Sequence, residues 1–297
     1  MGIVLGPNQY GKAEVRMVHV DRSTPVHVIT DVNVTSQLIG DFSSTFATGD
    51  NSAIIATDTQ KNTVYALART GGFSTVEEFA LRLARHFVGP YPQVTGARME
   101  IEQYGWDRIH TPDGAHDHSF VRGSAEVRTA LVMKDGDDEQ VISGVAGLVV
   151  LKSTGSEFWG FPDVPYTSLV ETTDRIMATS VTARWRYTGV DVDWDAAFTA
   201  IRAVMLEKFA TVHSLSLQQT LFAMGEAVLT AHPEVAEIRL SMPNKHHFLV
   251  DLEKWGLDNP NMVFYAADRP YGLIEASVLR DDAPPAPTAW DGVAGFV

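Results

Sequence analysis

One order of elements runs through this chain twice, and that order limits the folds open to it. The first round begins with KAEVRMVHV, VHVITDVNVTSQLIG and SAIIATD, segments rich in Val, Ile and Thr whose partial alternation reads as β-strand. A helix follows over residues 74–88, with Ser74 and Glu77 spaced as a capping box. Phe79, Leu81, Leu83 and Phe87 supply its apolar face, and Gly89-Pro90 ends it. ARMEIEQYGW and HSFVRGSAEVRTALVMK then close the round as strands.

The second round opens with the strands VISGVAGLVVLKST and RIMATSVTARWRY. Helices follow over about residues 194–211 and 216–231, and the strands EIRLSMPNKHHFLVDL and GLIEASVLR close it. The repetition is one of pattern, with no obvious repeat of residues. Strand pairs interrupted by helices imply an α+β chain, antiparallel sheets with helices packed on one face. The polar turn KDGDDEQ, residues 134–140, is the boundary, separating modules at 8–136 and 137–281. Residues 282–297 are Pro/Ala-rich without periodicity and read as a tail, ordered only if something docks it.

Charge narrows the partners. Lys and Arg total 23 against 37 Asp and Glu, a net charge of −14, so the surface repels nucleic acid and anionic lipid alike. An anionic ligand would need locally placed cations. The absence of cysteine rules out disulfides, thiol nucleophiles and thiolate metal sites, and suits a reducing cytoplasm. The N-terminus lacks the pattern of a secretory signal, and no apolar run approaches the ~20 residues that span a bilayer. The last residues are GFV rather than the Ser-Lys-Leu peroxisomal address, so the expected compartment is the cytoplasm.

Several polar groups sit where chemistry is possible. Thr57-Asp58 ends the run Ala53-Ile-Ile-Ala56, which reads as a strand finishing in a turn. In SMPNKHHFLVDL, strand alternation would place Asn244, His246 and Phe248 on one face, as part of a site or as a polar edge. Ser216 and Gln219 form a second capping box, which puts Leu217 and Gln218 in a first helical turn whose free N–H groups and dipole favour an anion. The Gln218 amide both donates and accepts, matching a ring lactam edge. His110, His116, Asp117 and His118 invite a metal reading, but a polar loop entering a strand accounts for them and no outlying third ligand is indicated. Lys12 reads as a surface lysine and Arg175 as a strand-heading guanidinium able to grip a planar ligand.

One stretch gives these groups a common purpose. LVVLKSTGSEFWGFPDVPYTSLVETTDR resembles the signature segment of the urate oxidase (uricase) family, with Tyr166, Leu169 and Arg175 at the family's spacing. YGKAEVR, DNSAIIATDTQKNTVYALA, DHSFVR and MPNKHHFLVDL extend the resemblance in order over nearly the whole chain. It implies the tunnelling fold (T-fold), two tandem modules per chain, in homotetramers with active sites between subunits. The implied reaction takes urate, O2 and water to 5-hydroxyisourate and H2O2 with no metal or organic cofactor. Phe158 would stack on the purine, Arg175 hold its N3 and C2-carbonyl edge, and Gln218 its C6-carbonyl and N1–H edge. Leu217 and Asp58 would contribute backbone N–H groups. Thr57, from the neighbouring subunit, would contact urate and the space above its ring, and would relay a proton to Lys12 with His246 behind. Asn244 would hold O2 and later water. The alternatives are another T-fold enzyme acting on a pterin or purine, a non-catalytic purine-binding oligomer, and a metal hydrolase built on His116 and His118.

Overall fold

The computed structural model describes residues 2–267 and 269–293. In chain order the elements are β1 (Tyr10–Asp21), β2 (Val28–Gly40), α1 (Ser43–Thr48), α2 (Thr57–Thr70), α3 (Val76–Phe87), β3 (Val94–Thr111), β4 (Gly114–Asp135) and β5 (Asp138–Lys152). Then come β6 (Met177–Tyr187), α4 (Trp194–Thr211), α5 (Leu217–Ala231), β7 (Val235–Asn244), β8 (His247–Leu249), β9 (Phe264–Ala266) and β10 (Gly272–Leu279). Eight strands make one antiparallel sheet in the order β1-β2-β3-β4-β5-β6-β7-β10, while β8 and β9 form a small separate ribbon.

The helices cover one face of the sheet. Helix α2 packs on β1, α3 on β3 and β4, and α5 on β7 and β10, with α4 against α5. Alternation supplies the core: Val34, Met99, Val132, Trp185, Ile238 and Leu240 meet Phe79, Leu83, Phe87, Ile201, Leu221 and Met224. Helix α5 sits so close to β10 that a Cβ on Gly225 would lie 2.6 Å from the Val278 side chain, which excludes a larger residue there.

Several expectations are corrected. Residues 53–56 are not a strand, and Thr57 begins α2 instead of ending a strand. Apolar content alone cannot separate a short buried strand from a loop packed on the core. The cap of α3 is Thr75, whose hydroxyl accepts from Glu78 N, so the box lies one residue later than Ser74 and Glu77. Glu77 is instead fully buried, accepting from Ser143 Oγ at 2.6 Å and Arg128 at 2.8 Å. Burial pushes its carboxyl pKa up, against the opposing pull of Arg128. Arg128 also grips Asp195 of α4 at 2.5 Å, which ties the helices of the two rounds together.

His110, His116 and His118 stand not on a loop but on the β3–β4 hairpin. The His116 and His118 rings meet edge-on at 4.6 Å, and no group of metal-binding side chains forms among the described residues. The strand expected through SMPNKHHFLVDL stops at Asn244 and resumes as β8. Residues 134–140 hold the β4–β5 turn, across which the sheet runs unbroken.

Residues 284–293 of the tail pack on their own chain, across the face of the sheet that the helices leave bare, while 294–297 lie outside the described residues. Ala289 is fully buried in a cluster with Leu131, Met133 and Ile142. Trp290 donates to Glu237 at 2.9 Å beneath the Arg239 guanidinium, 4.0 Å from its ring. Arg186 donates to Pro284 O at 2.9 Å. No helix among the described residues is long and apolar enough to cross a membrane.

Candidate functional site

Residues 155–158 form the floor of a cleft because two neighbours clamp their backbone. On one side Glu157 N donates to Ser214 O at 2.8 Å and Ser214 N to Gly155 O at 3.0 Å. On the other, Phe158 and Thr172 exchange hydrogen bonds of 2.8 and 3.0 Å, and Arg175 N donates to Ser156 O at 2.8 Å. Ring and guanidinium are thereby brought together: Arg175 Cζ lies 5.1 Å from the Phe158 ring centroid. The cleft, about 610 Å³, is lined by Phe158, Leu169, Arg175, His246, Phe248 and Phe264 among others.

Its electrostatics suit a flat anion. Burial pushes the Arg175 pKa below its ordinary value, so a negative charge beside it would offset the desolvation. Its Nε donates to Ser156 Oγ at 3.4 Å. The His246 pKa is pushed down by burial, then by the positive charges of Arg175 and His247, which keeps the imidazole neutral near pH 7. The His246 and Phe248 rings stack 5.8 Å apart, so these two share a side as alternation expected, although Asn244 lies before the break in the strand.

Helix α5 starts beside this floor. The expected cap is present, with its return bond shifted by one residue: Ser216 Oγ accepts from Gln219 N at 3.1 Å, and Gln219 Oε1 accepts from Leu215 N, just before the cap, at 2.8 Å. Leu217 is buried and Gln218 exposed. Beneath them lies a cluster that sequence reasoning missed: Thr220 Oγ1 donates to Ser214 Oγ at 2.7 Å, and Ser214 Oγ to Ser216 O at 3.0 Å. Ser214 thus joins the α5 start to the Phe158 floor, and small hydroxyls in a capping segment carry no sequence signal of that task. Asn244 pairs with Thr179 across β6 and β7 and so projects, like Thr179, to the helix-covered face. Lys152 of the signature donates to Val212 O at 2.7 Å and secures the end of α4.

Lys12 and Thr57 form a second group elsewhere. Lys12 stands opposite Ser36, whose hydroxyl donates to Gln60 of α2 at 2.9 Å, so the lysine lies on the α2 side of the sheet. Thr57 and Asp58 occupy the first turn of α2, where the N-cap position is Ala56 and no side chain caps the free N–H groups. The Asp58 carboxylate is held below its usual pKa by its hydrogen bond to Lys61, then by that lysine's charge.

A single chain keeps the two groups apart. Strands β2 to β5 separate β1 from β6, roughly 24 Å along the sheet at the usual spacing. Register carried from Lys12 through Ser36, Met99, Val132 and Val141 reaches the end of the sheet where β6 finishes, whereas Arg175 precedes its start. Neither Lys12 nor Thr57 lines the cleft.

Comparison with known proteins gives the family. The family model described as Uricase matches residues 8–133 and 141–275. The chain belongs to the uricase family. It is 57% identical to a uricase of Arthrobacter globiformis over 294 residues, covering 99% of this chain and 96% of that one. A uricase of Dictyostelium discoideum is 39% identical, with 92% and 96% covered. The crystal structure of the Arthrobacter globiformis uricase superposes with a TM-score of 0.94 over 98% of this chain and 99% of that one. A Bacillus urate oxidase at 22% identity and a TM-score of 0.79 shares the fold. The fold is therefore the T-fold of uricases, and the chain is an enzyme that oxidises urate.

Proposed function

We propose that the enzyme converts urate, O2 and water to 5-hydroxyisourate and H2O2 in a site completed by a second copy of the chain. The separation of the Lys12–Thr57 group from the Phe158–Arg175 cleft is the observation that carries this reading. Urate lies on Phe158, with Arg175 at its N3 and C2-carbonyl edge and Gln218 at its C6-carbonyl and N1–H edge. Leu217 N–H adds a donor at the positive end of α5. From the adjoining subunit come Thr57, the Asp58 N–H and Lys12.

Proton removal is the protein's contribution to the chemistry. Urate arrives as an anion, and taking a second proton raises the electron density of the purine until it can pass an electron to O2. The Thr57 hydroxyl relays that proton to Lys12, which must be neutral to receive it, and neutral His246 serves as a further acceptor. Asn244, with Thr57, holds O2 over the ring, and water later. The peroxide formed at C5 leaves as H2O2 when water adds at the same carbon, which balances atoms and electrons without a further reductant. This chemistry asks for no metal or organic cofactor.

The wider organisation belongs to the same proposal. Two modules, 8–136 and 137–281, would follow from the family match, which falls in two stretches either side of the β4–β5 turn. A sheet whose edge strands among the described residues are β1 and β10 suits assembly with further copies, and a homotetramer in the cytoplasm is the arrangement proposed. The deciding experiment incubates protein freed of metals by a chelator with urate in air, following loss of urate absorbance and appearance of peroxide. Urate consumed with equimolar peroxide is the expected result. Unchanged urate would overturn the reading, and turnover only after a metal is restored would favour a metal enzyme.

A further inference from the structure

We propose that a β-bulge at Ala13–Glu14 aims Lys12 at the α2 side of the sheet, and that Glu14 and Thr35 are positioning residues for the reaction. This rests on the reading of Lys12 as proton acceptor. Along a regular strand, residues 12 and 15 would leave on opposite faces. Here both face the helices: Val15 is buried in the helix-side core opposite Val34, and Lys12 stands opposite Ser36 beneath α2. The difference is one inserted residue. Ala13 and Glu14 occupy β1 between these two pairs, against Thr35 alone on β2.

Two features hold the insertion. Glu14 has φ of 56°, the left-handed region that a side chain with a Cβ rarely takes. Its N–H, which faces the interrupted ladder, donates to Thr35 Oγ1 at 3.1 Å. The strand before the bulge is then locked to the approach of α2. The Tyr10 hydroxyl accepts from Ile55 N at 2.8 Å and donates to Ile55 O at 3.2 Å, and Gln60 Nε2 donates to the same carbonyl at 3.2 Å. Gly11 comes so near β2 that a Cβ would lie 1.7 Å from Ser36 O. Lys12 and the segment entering Thr57 are thus built as one unit, with its lysine turned by the bulge.

The test uses Glu14→Val, whose branched side chain opposes a left-handed backbone, Thr35→Val, which removes the hydroxyl but keeps the shape, and the conservative Glu14→Gly and Thr35→Ser. Turnover, KM for urate, melting temperature and the pH–rate profile are measured for each. Both valine variants should lose roughly 10-fold or more in kcat near neutral pH with KM within about 2-fold. Their turnover should recover as pH rises, because urate then loses its second proton without the lysine. Glu14→Gly and Thr35→Ser should stay within about 3-fold of the parent. Parent-like kcat in the valine variants, or a loss that follows melting temperature without recovery at high pH, overturns the proposal. Lys12→Met is run beside them: if it turns over normally, the reading of Lys12 has failed, and if it alone is inactive, only the bulge inference has failed.

Discussion

Arg175 stands with its guanidinium carbon 5.1 Å from the centroid of the Phe158 ring, and the backbones bearing them are tied through Ser156 and Thr172. Ring and cation are therefore held together without a ligand, so on the proposed reading affinity for urate is not spent on ordering them. Arg175→Ala should raise KM for urate by about 30- to 150-fold, the equivalent of ~2–3 kcal/mol for a charge-assisted pair, and lower kcat as well. Steady-state kinetics with urate checks this, and a parent-like KM removes the role assigned to Arg175.

Lys12 and Thr57 should behave oppositely. Lys12→Met or Thr57→Ala should cut kcat by about 10²-fold or more while urate affinity changes little, as expected of groups that act on a proton. Equilibrium urate binding under anaerobic conditions, set beside kcat in air, separates the two effects. Mixing the Lys12→Met and Arg175→Ala chains under subunit exchange should restore part of the activity, since one kind of site would then receive an intact group from each parent.

His246 carries a prediction about acid. Its folded pKa is depressed by burial, Arg175 and His247. As pH falls below about 6.5, the unfolded chain therefore takes up the proton first, and the stability present above that pH is lost as the folded pKa is approached. His246→Gln should flatten this part of the stability curve. It should also lower kcat, and denaturant melts at pH 5, 6 and 7 beside pH–rate profiles would test both. An unchanged slope between pH 5 and 7 would rule out His246 as its source.

The docked tail should stabilise the sheet. Trp290→Ala removes the stack on Arg239 and the bond to Glu237, a loss of about 1–3 kcal/mol for a half-buried aromatic. The melting temperature should fall, while KM for urate should hold because the tail lies on the face away from the cleft. An unchanged melting temperature would mean that the tail's order contributes nothing to stability.

Legibility followed the range of the interactions. Strands β5 and β6 and helices α4 and α5 were readable because caps such as Ser216–Gln219 and long apolar runs act within a few residues. The start of α2 was hidden because its N-cap is Ala56, so the usual side-chain signal is missing there. The break after Asn244 was also hidden, since the β6–β7 register runs on through Lys245 N to Ala178 O and neither Lys245 nor His246 is a Gly or Pro that would mark where the strand stops.

The sequence by itself determined the α+β class, the doubled order of elements, the absence of thiol chemistry, and, through its signature segment, the family. Tertiary structure alone decided that Lys12 faces α2, that residues 284–293 lie on the bare face of the sheet, and that Lys12 and Arg175 occupy opposite ends of it. The reason is physical: helix caps and alternation are local, whereas a bulge, a docking surface and the span of a sheet depend on partners brought together only by folding.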